Sequence, residues 1–214
     1  MPSYAFGEYL NNLRDVHRLV LLHASLNGSE RGRRGLGHLT RGGVLLLCAA
    51  WERYTESVLV ESATYLQKHV PNRTAMPANV AQRILNYANS NNNAWTAARA
   101  NGPTWGQIYS DYVQRQTDAL NTPKYENLKN LFHNCIGVSD VASLWSNPSQ
   151  EITDFVALRG EVAHRGSSSA YITIANLKVL EVSIKNFAAE TDNEVARHLK
   201  ALSGTKRLPW NRVK

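Results

Sequence analysis

The sequence predicts an all-α fold, a single helical bundle with helices added to a minimal core. Three observations support that class. Apolar residues recur at three- and four-residue spacing through most of the chain, and strand-like alternation is scarce. Several of these stretches follow helix-start signals built from Ser, Thr or Asn with a proline or an amide close behind. With 43% hydrophobic and 19% charged residues among 214, the chain holds enough apolar side chain for one substantial core. One domain is expected over residues 1-202, with a basic Gly-rich loop at 27-38 and a basic flexible tail at 203-214.

The first helix is expected from Tyr4 to Ala24, with Leu10, Leu13, Val16, Val20 and His23 or Ala24 on its apolar face. "NGSERGRRGLGH" follows, with four glycines and three arginines, and reads as a basic loop. A long second helix spans Thr40 to His69, and its stripe is Val44, Leu47, Trp51, Tyr54 or Thr55, Val58 and Leu66. Pro77 to Tyr87 reads as a helix, "NSNNNAW" as a polar loop, and Trp105 to Leu120 as another helix. Thr122 caps a helix with Pro123 in its first position, running to Asn134. Ser139 caps a short one ending near Trp145. Asn147, Pro148 and Gln150 form a capping arrangement that launches the helix bearing Ile152, Phe155, Val156, Leu158 and Val162, which stops at Gly166. The last helix begins near Thr173 and continues to Leu199.

Charge narrows the class of partner. Lys and Arg total 24 against 17 Asp and Glu, a net +7. That excess favours an anionic partner, with nucleic acid first among candidates. Cys48 and Cys135 lie far apart in apolar surroundings and read as reduced, buried thiols. The longest apolar run, "VLLLCAAW" from Val44, is far shorter than the ~20 residues a membrane span needs. "MPSYAFGEYL" lacks the cationic and apolar order of a secretory signal, so a cytoplasmic protein without membrane association is expected. No metal motif stands out: H-E-x-x-H and C-x-x-C are absent, and His133 with Cys135 lacks companion ligands.

"LRGEVAHRG", residues 158 to 166, sets Arg159 five positions before His164. With 16 Arg and 7 His in the chain, chance supplies about half of one such match. Three occur, so spacing alone decides nothing. Arg18 and His23 fall within the first helix and read as a surface arginine and a core-edge histidine. Arg33 and His38 sit in the glycine-rich loop, where nothing fixes their relative position. Arg159 and His164 differ because both ride on one capped helix, about 140° apart around the axis and about 7.5 Å apart along it.

The order of "LLLCAAWERYTESVL", then "TPKYENLKNLFHNCIGVSDVASLW", then "LRGEVAHRG", then a final helix resembles the HEPN superfamily. More narrowly it is similar to the RiboL-PSP-HEPN group, over about residues 40 to 200. The resemblance implies a helical bundle paired about a twofold axis and metal-independent endoribonuclease activity. The family's motif of Arg, a short spacer and His maps onto Arg159 and His164. Related sequences commonly carry a polar residue such as asparagine after the arginine. Here that position is Gly160, which supplies no side-chain hydrogen bond.

On that resemblance, His164 exchanges protons with the 2′-hydroxyl or the leaving 5′-oxygen, and Arg159 holds the phosphate. Glu161 and Glu52 are the candidates to orient Arg159, and Arg165 adds RNA attraction. No cofactor is implied. The implied partners are RNA, a second copy of the chain, and an antitoxin or other protein of a defence or stress system. A non-catalytic nucleotide- or RNA-binding or dimeric interaction module of the same fold remains the alternative. A sequence-specific DNA binder is the weaker one, since no basic recognition helix is visible.

Overall fold

The computed structural model describes residues 1–27, 35–90, 102, 104–169 and 171–214. Among them are seven α-helices and no strand: α1 Tyr4–Asn27, α2 Gly37–His69, α3 Ala78–Ser90, α4 Trp105–Asp118, α5 Tyr125–Ile136, α6 Gln150–Arg165 and α7 Ile174–Ser203. Arg33 and most of the 27-38 and "NSNNNAW" segments lie outside the described residues. No described helix is long and apolar enough to cross a membrane.

The expected stripe on α2 is the core: Val44, Leu47, Trp51, Tyr54, Thr55, Val58 and Leu66 are all buried. α1 runs antiparallel to it, with Tyr9 packed on Tyr54 and Leu19 beside Gly42. α7 runs parallel to it on another side, where Tyr54 Oη donates to the Ala188 carbonyl at 2.9 Å. Gly43 permits that approach, because a Cβ built on it would stand 2.4 Å from Leu177 Cδ2. α4, α5 and α6 cover the remaining arc. Trp51 anchors the connections between them: its indole N–H donates to the Pro123 carbonyl at 3.2 Å, and its ring lies 6.3 Å from Trp145, which meets Phe187 of α7 edge-on at 5.0 Å. Truncating such a buried ring costs on the order of 3–5 kcal/mol.

Several local expectations are displaced, each for a visible reason. The buried face of α1 runs Phe6, Tyr9, Leu13, Val16 and Val20, while Leu10 points outward, because the aromatic pair reaches Tyr54 and the leucine does not. Pro123 does not open α5: its carbonyl serves Trp51, and the helix starts at Tyr125. Asp140 rather than Ser139 caps the turn 141–144, accepting from the Ala142 N–H at 2.8 Å. Asn147 gives α6 no cap, its amide reaching Glu151 instead at 3.4 Å. Thr173 does cap α7, in a reciprocal box with Asn176.

The segment expected as a flexible tail is docked. Trp210 is buried, with its N–H on the Asp192 carbonyl at 3.1 Å. The Asn211 N–H reaches the Met1 carbonyl at 2.9 Å, and the Val213 N–H reaches Asn193 Oδ1 at 2.7 Å. Beneath them the fully buried Asp192 carboxylate accepts from the Ser3 N–H at 3.4 Å and from the Ser3 hydroxyl. Sequence favours a loose end here because a Pro- and Lys-containing segment offers no helical period, and its one anchor, Trp210, acts only through long-range contacts.

Burial raises the Asp192 carboxyl to about 6, against the opposing hydrogen bonds from Ser3. Its folded value therefore lies above the unfolded one of about 3.9, so the folded chain holds the proton between the two. The destabilisation from the buried charge is fully present above pH 6 and is relieved as pH falls toward 4. Relative to Asp192→Asn, the wild-type melting temperature should rise as pH drops from 7 to 5, measured by calorimetry on both proteins. A constant difference across that window would contradict this.

Candidate functional site

Ile152, Phe155, Val156 and Val162 form the buried arc of α6. Arg159, seven residues after Ile152, falls about 20° from it around the axis and therefore inside that arc. It is thus a cation at a core-facing position, and it has a partner there. Its Nη2 lies 3.4 Å from Glu52 Oε2 on α2, with side chains only 29% and 22% exposed. Cys48 is fully buried one turn before Glu52. The i, i+4 spacing sets Cys48 and Glu52 on one face of α2, so Glu52 holds Arg159 across the α2–α6 seam with the Cys48 thiol on the same side.

The charges respond as this geometry requires. Burial lifts the Glu52 carboxyl above the ordinary range, and Arg159 draws it back. Burial likewise raises the Cys48 thiol, opposed by the hydrogen bond and charge of Arg159. One turn further along α2, burial and the Glu52 charge raise Glu56, which Arg53 offsets from 3.7 Å. A guanidinium has five N–H donors, so one held by a carboxylate still presents donors to a second anion.

The other expected residues fall elsewhere. His164 is exposed in the last turn of α6, about 140° around from Arg159 and so off the buried stripe that carries the arginine. Glu161 stands about 200° from Arg159, and its ion pair is with the exposed Arg165 at 3.9 Å. Of the two glutamates expected to orient Arg159, Glu52 is the one the fold delivers. Arg18 pairs with Asp15 at 2.9 Å on an exposed face, as a surface arginine does. Among the described residues no group of three His, Cys, Asp or Glu is placed to hold a metal ion. Cys48 was not singled out for the site. The available signal was its four-residue spacing from Glu52, which carries meaning only once α6 is known to pack there.

The chain matches the RiboL-PSP-HEPN family model over residues 11–197. No curated protein and no solved structure matches it.

Gly160, beside the central arginine, has no heavy atom within 4 Å of where a Cβ would stand. It is a mid-helix glycine with no steric requirement, so Gly160→Ala should raise the unfolding free energy by about 0.8 kcal/mol, measured by urea denaturation. A loss of stability would show that the position faces something other than open space.

Proposed function

The chain belongs to the RiboL-PSP-HEPN family, and from that premise we propose that it is a cytoplasmic, metal-independent endoribonuclease in which Arg159 and His164 act on RNA. The observation carrying the reading is the core-anchored Arg159. A charged group at an inward position loses hydration, and Glu52 at 3.4 Å compensates it while fixing its direction. Such anchoring is what a preorganised phosphate clamp needs, since a fixed dipole or charge requires no rearrangement as charge develops.

The ribose 2′-oxygen attacks the adjacent phosphorus while its proton passes to one imidazole. The bond from phosphorus to the 5′-oxygen breaks, and that oxygen takes a proton from an imidazolium. The products are a 2′,3′-cyclic phosphate and a 5′-hydroxyl end. Arg159 stabilises the extra negative charge of the pentacoordinate phosphorus, and Arg165 adds attraction for the RNA backbone. Attack and departure occur on opposite sides of the phosphorus, so two imidazoles serve the reaction better than one. A twofold dimer supplies them.

The outer face of α2 supports such a pairing. Leu45 lies seven residues before Glu52 on the same stripe, and it and Leu46 are 38% and 41% exposed. Two part-exposed leucines on α2, about two turns before the partner of Arg159, offer an apolar contact for a second copy. Gly160 favours a second reading, a non-catalytic RNA-binding module, because it removes the side chain that related sequences carry next to the arginine. In either reading an antitoxin or defence-system protein is a fitting regulator.

Purified protein incubated with mixed RNA in EDTA should cleave it, and His164→Ala or Arg159→Ala should each reduce cleavage by at least ~100-fold, with a smaller change in RNA affinity. RNA methylated on the 2′-oxygen at the scissile position should resist. The binding-module reading expects no wild-type cleavage and a loss of affinity in both variants. Cleavage unchanged in His164→Ala removes that residue from the mechanism.

Light scattering at micromolar concentration should give twice the 23.9 kDa chain mass. Leu46→Asp should shift it toward the single chain and lower cleavage in parallel. A strictly monomeric wild type that cleaves RNA would sink the composite site.

A further inference from the structure

A cleft of ≈ 370 Å³ opens between the start of α1, the outer face of α2 and α4, within the range of about 300–1,000 Å³ that small-ligand sites occupy. It begins one turn beyond Glu52, about 6 Å along the α2 axis, with Arg53 and Glu56 in its wall. Its polar groups lean toward acceptors. Glu56 is part-buried and pairs only loosely with Arg53, at 3.7 Å. Gln114 directs its amide nitrogen at Asp118, 2.7 Å away, which leaves its carbonyl oxygen as an acceptor for a ligand. Glu61 is committed: its two oxygens accept from the Tyr4 and Ala5 N–H groups at 3.0 and 2.9 Å and so cap α1. That cap fixes Tyr4 at the rim of the cleft, where the residue is 74% exposed.

With Arg53 set against Glu56 and Glu61, the cleft is net negative on a chain whose total is +7. A phosphate is repelled from it. A neutral planar group with adjacent N–H donors fits it, and among the RNA bases guanine offers two adjacent donors, N1–H and the N2 amino group, beside the acceptor O6. We infer that this cleft is a nucleobase subsite selective for guanine, in which Glu56 accepts from N1–H and the N2 amino group, Arg53 donates to O6, and Tyr4 stacks on the base. The inference rests on the RNA-cleaving reading only for its setting, as the pocket that holds a base near the phosphate at Arg159.

Calorimetric titration of the full chain with the four nucleoside 5′-monophosphates tests this without any cleavage step. All four carry the same phosphate, so differences report the base. GMP should bind at least about 10-fold more tightly than AMP, CMP or UMP, as expected of one bidentate contact. Glu56→Gln, isosteric and part-exposed, should remove most of that preference, and Tyr4→Ala should weaken GMP by about 10-fold. The preference should persist in Arg159→Ala. Equal affinities, no binding of any of the four at millimolar concentration, or a guanine preference untouched by Glu56→Gln overturns the assignment. A chain that cleaves RNA without preferring GMP defeats the subsite alone. A GMP-selective chain that cleaves nothing defeats the nuclease reading alone.

Discussion

The bundle depends on covering α2. At 33 residues, about 50 Å long, this helix buries side chains along most of its length, and one partner helix cannot enclose it. α1 takes one side, α7 another, and α4, α5 and α6 close the rest, with Trp51 reaching the connections before α5 and α6 through its N–H and its ring. Each covering helix therefore has its direction and depth set by α2. The placement of any side chain at a seam, including the arginine of α6, follows from that.

At the α2–α6 seam the covering helix presents a cation where its neighbours present Ile152, Phe155 and Val156. Replacing hydration by one carboxylate and one thiol seldom adds stability, since the cost of removing the charges from water offsets most of their attraction. A leucine in place of Arg159 would suit packing at least as well. What the arginine contributes is direction: Glu52 orients its guanidinium, and the burial that raises the Glu52 carboxyl makes the two partners mutually dependent. On the proposed reading this seam gives up packing for a directed charge, as preorganised sites do.

The same asymmetry explains what sequence reveals and what it hides. The α2 stripe is legible because 3.6-residue periodicity is a local property, and every residue assigned to it is buried. The inward position of Arg159 is implicit in its spacing from Ile152. Glu52 as its partner is a contact between residues 107 apart, and nothing in either helix alone distinguishes it from Glu161, which the helical turn carries to the far side. The caps of α5 and α6 mislead for a related reason. Thr122, Pro123 and Asn147 carry the right chemistry, but the Pro123 carbonyl goes to the distant Trp51, while the Thr122 carbonyl takes Asn127 and the Asn147 amide reaches Glu151. The docked tail, held by Trp210 and Asn193, is the extreme case, with no local period at all.

His164 completes the argument by being placed so differently from Arg159. A clamp gains from rigidity and partial burial. A proton carrier must meet substrate and exchange with water, and an exposed last turn ending at Gly166 meets both needs. Five residues of helix separate the two side chains by about 140° around the axis and about 7.5 Å along it, so they do not share one stripe of α6. In the proposed dimer a partner surface would bridge that gap, and α2 leaves Leu45 and Leu46 part-exposed about two turns before Glu52. On the proposed reading, that divergence favours a shared site over a couple within one chain: the anchored arginine would belong to the fold of each copy, and the exposed histidine to a cleft that two copies would make.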